Sequence, residues 1–400
     1  MRVTRRALFV ATGCVIRCLC RVASAWRCSV AEVVLRIDNR IFTHWLSVSI
    51  TRGLARLAGD FTLGIMMPGQ ALPDSLRAGG TLALTLDGQP VITGYLDSVS
   101  HKMGADSAQV TIKGRDKTGD LVDCSAVYPG GQWRQRTLQQ IAQDLCKPFG
   151  IAVRWAVSDP EAAKPFSSFT LELSESVADV LSRAARHRGV LVTSDTDGDL
   201  VFTQAANTPT DTLRLGENLL SAEYTEDWRD RHSQYLVKGH GGGGGHAGDA
   251  NTNALRAAPR GESDDPVIGR YRPKVILADS TLTPATARAR ALRESRRALA
   301  QSERFTAVVK GWRRESGELW QTNRLTRVIA PRLSMVSRDL LISQVQFDLD
   351  ADNGERTTLT LAPREAFIVP AEAERQAGGT DGGVDGLVRA WLNQGNKLDE

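Results

Sequence analysis

From residue 33 to about 123, apolar and polar residues alternate in short runs, the period-two signature of half-buried strands. VVLRI (33–37) alternates, Asp38-Asn39 supplies a turn, and IFTHWLSVSITR (41–52) continues with β-branched and aromatic residues. Further strands are predicted at 61–65, 81–86, 91–100 and 108–116, with turn chemistry at Gly59-Asp60 and Asp87-Gly88. Short strands at this spacing suggest a small barrel or sandwich.

After residue 125 the period changes. In TLQQIAQDLCKPF (137–149), Leu138, Ile141, Leu145 and Phe149 fall at three- and four-residue spacing, one apolar helix face stopped by Pro148 and Gly150. SESVADVLSRAARHRG (174–189) predicts a second helix, with Ser174 and Ser176 as candidate N-caps and Gly189 as its stop. Its stripe is Val177, Val180, Leu181 and Ala184, and Arg183, Arg186 and Arg188 lie in its last turns. IAVRW (151–155) reads as a strand, and 190–202 as a hairpin turning at Asp197-Gly198. Strands are predicted again at 219–227 and 233–240. A Gly-rich, low-complexity stretch (239–265) follows and is read as a mobile surface loop. RYRPKVILADS (270–280) resumes the pattern, before a long basic helix at 284–303 and strands at 304–310, 325–330, 340–349 and 356–361.

The fold class expected is α+β: two β-barrel-like domains with an intervening α/β module. The divisions are 1–29, an N-terminal extension; 30–124, the first β domain; 125–208, the α/β module; 209–370, the second β domain with its Gly-rich loop (239–265) and helical insertion (282–303); and 371–400, a flexible tail carrying a short amphipathic piece at 384–394.

Composition alters this picture mainly at the start of the chain. A net charge of +4 suggests an anionic partner, but Arg2, Arg5, Arg6, Arg17, Arg21 and Arg27 lie in the first 29 residues with no acid among them. The rest holds 44 basic residues against 46 acidic ones, no footprint for nucleic acid. Cys14, Cys18, Cys20 and Cys28 lie in the same stretch, without a zinc-type spacing or a nearby His. Its basic start, apolar run and Ala23-Ser24-Ala25 have the form of a secretory signal, although Arg17 and Arg21 interrupt it. Three readings stand: a translation start assigned too early (with Val30, Val33 or Val34 as alternative starts), a signal, and a disordered extension. No run there approaches the ~20 apolar residues that span a bilayer. Cys124 and Cys146 are expected as buried small hydrophobes in a reducing compartment, with a disulfide between them as the alternative.

Candidate chemistry is sparse. His240 and His246 flank five glycines in a linker, with nothing to pre-organise a metal site and no Gly-Lys-Ser/Thr to make a phosphate loop. The stretch 114–120 (GRDKTGD) reads as a charged turn. Asp195, Asp197 and Asp199 alternate as in a calcium loop but lack its downstream Glu, so turn chemistry explains them. Arg288, Arg290, Arg293, Arg296, Arg297 and Arg304 form a basic segment interleaved with Glu294 and Glu303, read as a solvated or subunit-facing helix. Trp133, Trp155, Trp312 and Trp320 are read as core or interface residues. No catalytic, cofactor-binding or metal residue is assigned.

Residues 115–133, RDKTGDLVDCSAVYPGGQW, closely resemble a stretch of the baseplate hub proteins of phage Mu and Mu-like prophages. Similar stretches follow in the family's order at 137–155, 215–220, 229–239, 270–280, 289–300 and 361–370. The resemblance implies a homotrimeric hub of a contractile tail, with two barrel-like domains per subunit making a pseudo-sixfold ring. Implied partners are the chain itself, a spike below and tail-tube or baseplate proteins around it, with DNA only in transit through a polar lumen. No cofactor, enzymatic activity or stable membrane insertion is implied. The implied location is the virion baseplate, assembled in the host cytoplasm. A tail-associated cell-wall-binding or peptidoglycan-degrading protein, marked by two facing carboxylates, is the alternative.

Overall fold

The computed structural model describes residues 32–37, 40–66, 76–104, 108–240, 259–333 and 335–368. The N-terminal strands are β1 (Val33–Ile37), β2 (Arg40–Phe42), β3 (Ser47–Gly53), β4 (Asp60–Met66), β5 (Thr81–Leu86), β6 (Gln89–Met103) and β7 (Ala108–Asp116). They pair antiparallel in the order β3-β4-β7-β6-β5-β1-β2. Alternation is carried through to burial: Leu82, Leu84 and Leu86 of β5 point inward while Thr81, Ala83 and Thr85 do not. Full burial of one such leucine contributes about 1.5–3 kcal/mol.

The run 41–52 is not one strand. It breaks between β2 and β3, where His44 takes a φ of 67° and buried Trp45 donates from Nε1 to the Val33 carbonyl at 3.1 Å. Anchoring that indole breaks the period that β-propensity alone would continue. The predicted turn at Asp38-Asn39 lies outside the described residues.

The small central module begins with α1 (Gly119–Asp123). It continues through β8 (Gln132–Arg136), α2 (Leu138–Cys146), β9 (Val153–Ala156), β10 (Phe166–Thr170), α3 (Val177–Arg188), β11 (Leu191–Ser194) and β12 (Leu200–Thr203). Thr137 and Gln140 cap α2 reciprocally, at 3.2 and 3.0 Å. Ser176, not Ser174, caps α3, and Gly189 ends it at φ 66°. Trp133, Leu138, Ile141, Leu145, Phe166 and Leu181 are among the residues of one continuous core.

The later strands are β13 (Pro209–Arg214), β14 (Leu219–Glu226), β15 (Gln234–His240), β16 (Arg260–Asp264), β17 (Pro273–Thr281), β18 (Glu303–Lys310), β19 (Leu325–Ala330), β20 (Met335–Asp350) and β21 (Gly354–Ala362). Strand β16 corrects the expectation of a loop across 239–265: residues 260–264 pair antiparallel with β15. Their polar sequence RGESD has no apolar alternation to announce a strand. His246 and the glycines beside it lie outside the described residues. Strands β16, β15 and β17 form a small sheet covered by α4 (Pro284–Ser302). The helix comes very close there; a Cβ on Gly261 would fall 2.1 Å from the Ala287 carbonyl carbon.

Strand β20 joins the early strands to the late ones. Its register shifts between Ile342 and Gln344, and Ser343 donates to the Thr360 carbonyl at 3.0 Å. A bulge of this kind bends a strand. Before it β20 pairs with β19; after it, with β3. Strands from 33–116 and from 209–362 therefore share one 13-stranded sheet, among the described residues.

Candidate functional site

The segment 115–133 is a joint. Asp116, at 1% exposure, ends β7 and accepts from Gly59 N at 2.8 Å, Ser194 Oγ at 2.7 Å and Thr118 N at 3.1 Å. Arg52 of β3 reaches the same place, donating to the Val91 and Ser194 carbonyls, each at 2.7 Å. Burial holds the Arg52 pKa below the usual arginine range, although Asp116 and Asp195 favour its charge. Three segments distant in sequence thus meet on one satisfied polar network, which fixes the β strands against the module. Lys117 and Thr118 serve this turn, as the reading of 114–120 expects: Lys117 N donates to the Thr93 carbonyl at 3.1 Å.

On the outer side Arg115 bridges Asp97 at 2.7 Å and Asp123 at 2.6 Å. Its hydrogen bonds to Asp123 and Asp97 push its pKa upward. The Tyr-Pro-Gly-Gly corner turns through Gly130 and Gly131 at positive φ. It brings Tyr128 onto Trp133, ring centroids 4.1 Å apart, while Trp133 Nε1 donates to Asp144 at 3.0 Å.

The aspartates at 195, 197 and 199 are explained by turn chemistry, with one addition that the sequence did not signal. Asp195 accepts from the backbone N–H groups of Asp197 and Asp199 at 3.0 and 2.9 Å. Arg154 also lies among the three carboxylates, at 2.9, 3.0 and 3.5 Å, supplying a cation from within the chain. Gly198 (φ 75°) packs under β6, where a Cβ would meet the Thr93 carbonyl at 2.5 Å. Among the described residues no group of three or more His, Cys, Asp or Glu is arranged to hold a metal ion.

Cys124 and Cys146 are both free thiols, which leaves no disulfide between them. Cys146 is buried as expected, and burial pushes its thiol up to about 12; Cys124 is exposed, a correction set by its position just past the C-terminal end of α1. Trp133, Trp312 and Trp320 are core residues, whereas Trp155 is half-buried beside Phe202.

A second buried ionic joint was not legible in the sequence. Arg231, 3% exposed, donates to Asp265 at 2.6 Å and Glu303 at 3.2 Å, and its guanidinium lies 5.4 Å from the Trp228 ring centroid. Burial opposes the Arg231 charge, but the two carboxylates outweigh it and the pKa rises. Glu303 also binds Arg338, tying the end of α4 to β20. Outside this joint Val275 and Leu277 of β17 are exposed, as is Tyr271 just before it.

One open cleft of about 380 Å3 is lined by Asp211, Arg313, Glu315, Trp320 and Arg327, among others. Of its acids, Asp211 is held by Arg314 at 3.1 Å, the geometry of a structural ion pair. Among the described residues no helix is long and apolar enough to cross a membrane.

Residues 32–116 match the family described as the N-terminal part of Mu phage baseplate assembly protein GpP-like proteins. Residues 118–204 match the second domain of baseplate hub protein gp44-like proteins, and 283–370 the fourth domain of Mu phage baseplate assembly protein GpP. The chain is 48% identical over 365 residues to baseplate hub protein gp44 of Escherichia phage Mu, covering 90% of this chain and 96% of that one. It is also similar to the 43 kDa tail protein of prophage MuSo2 from Shewanella oneidensis. That match has a TM-score of 0.75 at 33% identity and covers 85% of this chain and 100% of the other. The tail protein of Neisseria meningitidis MC58 shares the fold, with a TM-score of 0.72 at 23% identity over 86% of this chain and all of the other. The chain belongs to the baseplate hub protein family of Mu and Mu-like phages, structural components of the tail baseplate.

Proposed function

We propose that this hub protein works as a homotrimeric ring at the centre of the baseplate, joining the tail tube to a spike and enclosing the path of the DNA. Three copies would each contribute two barrel-like domains, 30–124 and 209–370, with the α/β module 125–208 between them. Closed cyclic symmetry built on large interfaces is a function of shape and needs no catalytic group. Under this reading the chain does no chemistry and takes no cofactor. It is assembled in the host cytoplasm before joining the virion, and meets DNA only in passage.

The observation that supports it best is the shared sheet. Pairing of β3 with β20 fuses the early and late strands into one hydrogen-bonded body, a rigid unit suited to bearing load within a ring. The near balance of charge beyond residue 29 fits a lumen that does not retain DNA.

Light scattering of the purified chain at several concentrations tests this reading. A constant mass of three chains supports the ring. A monomer at every concentration, alone and with spike and tube proteins added, removes it. Release of soluble fragments from purified peptidoglycan would favour a wall-degrading role instead.

A further inference from the structure

Two long strands end their sheets with an open edge. Strand β17 is the last in the order β16-β15-β17, and β14 begins the 13-stranded sheet, bonded there only to β18. Away from those neighbours, residues 220–226 and 273–277 make no backbone–backbone hydrogen bond among the described residues. The outer face of β17 is apolar, with Val275 54% exposed and Leu277 64%. Val275 lies beside half-buried Leu236 of β15. Ile276, between the two, turns the other way and packs toward α4.

Folded proteins blunt such edges with charge, proline or a bulge, because an open row of N–H and C=O groups templates pairing with another chain. Strand β17 has Pro273 and Lys274 at its start, but Val275-Ile276-Leu277-Ala278 carries neither charge nor proline. Apolar surface beside an open edge marks a site that a partner covers. The edge also sets the partner's conformation, since a row of backbone groups is matched by an extended strand.

We propose that β17 of one copy of this chain pairs antiparallel with β14 of a second copy, forming the joint that closes the ring. This inference rests on the trimeric reading above. A cyclic ring needs two different surfaces on each chain that fit one another. These two strands fit in one register: setting Lys274 opposite Glu223 places Val275 opposite Ala222 and Leu277 opposite Leu220. Ala222 is half-buried and Leu220 is 55% exposed, so apolar residues of both strands gain cover. The antiparallel sense also brings the basic start of β17, with Arg270 and Lys274, to the acidic end of β14, with Glu223 and Glu226. A parallel pairing separates those charges. A slip of one residue turns Val275 and Leu277 to the face opposite Ala222.

Disulfide trapping in the full chain tests the register. In Ala222→Cys/Val275→Cys the two thiols lie on neighbouring copies at cross-strand distance, within reach of a disulfide. Oxidation should convert most of this double variant to a covalent trimer on a non-reducing gel, with the 222–275 bond located by mass spectrometry. Each single variant keeps the native cysteines and should stay uncrosslinked. A double variant that also stays uncrosslinked overturns the pairing, and so does a 222–275 bond within one chain. Val275→Cys crosslinked to its own counterpart shows two-fold pairing of β17 and overturns it too.

Charge reversal adds a second readout. Lys274→Glu should raise the concentration of half-assembly about tenfold, and Lys274→Glu/Glu223→Lys should restore it; absence of rescue overturns the register. The outcomes separate this inference from the ring itself. A trimer that assembles without the 222–275 bond keeps the ring and removes the inference. Crosslinks between chains that build only open ladders keep the strand pairing and remove the ring. A chain that is monomeric at every concentration and never crosslinks removes both.

Discussion

Helices α2 and α3 pack through Leu138, Ile141, Val180 and Leu181 into a core with Trp133, Phe166 and Phe202, whereas α4 meets its sheet through Ala287, Ala291 and Ala298. The first pair gains from bulk. The second helix buries little apolar area per residue and gains from proximity, with Gly261 giving it room. What α4 lacks in apolar burial is supplied at its end by Arg231, Asp265 and Glu303. One chain thus holds helices by two mechanisms, and these fail under opposite kinds of substitution. Removing atoms harms the central module, while adding atoms or removing a charge harms the α4 layer.

The largest effect is expected at the ionic joint. Arg231→Met leaves Asp265 and Glu303 buried without their shared partner and should cost about 3–5 kcal/mol, read as a fall in the urea midpoint. A loss under 1 kcal/mol would mean that α4 holds by packing alone. Next, Leu181→Ala opens a cavity in the central core and should cost about 2–5 kcal/mol by the same assay. Gly261→Ala adds a single methyl group, yet it should cost about 1–3 kcal/mol because helix backbone, not a flexible side chain, occupies the space. A neutral result there would break the contrast between bulk and proximity.

The smallest effect is chemical. At pH 8 an alkylating reagent should label Cys124 promptly and Cys146 only on unfolding, with the sites assigned by mass spectrometry. The folded thiol of Cys146 is raised to about 12 from a reference of 9.0. Its stabilising contribution is therefore complete below pH 9 and is lost as pH rises toward 12. Labelling of Cys146 as fast as that of Cys124 would show that the module core opens readily.

Legibility in the sequence followed the length scale of each interaction. Strands β5 and β7 match their predicted bounds because local alternation and flanking turns carry the information. Helix α3 was visible down to its Gly189 stop, with its cap narrowed to Ser174 or Ser176, of which Ser176 caps it. Strand β16 was not, because RGESD becomes a strand only by pairing with β15 and lying under α4. The resemblance of 115–133 to hub proteins marked the joint, but Asp116 gave no hint that it would meet Ser194, 78 residues later. Arg154 and the three aspartates were each plain to see. Their meeting depends on β9 and β12 lying side by side, which periodicity does not encode.

The pairing of β3 with β20 also imposes an order on synthesis. Ser49 waits for Asp348, a partner 299 residues further along the chain. At translation rates of 5–20 residues per second that delay is roughly 15 to 60 s. Throughout it the edge of β3 has no native neighbour to cover it, and an uncovered edge invites pairing with other nascent chains. Many such chains made together would be exposed to that hazard at once. Strands β20 and β21 thus act as a release from a vulnerable interval, and a chain interrupted before residue 344 should accumulate as aggregate, not as a shortened soluble hub.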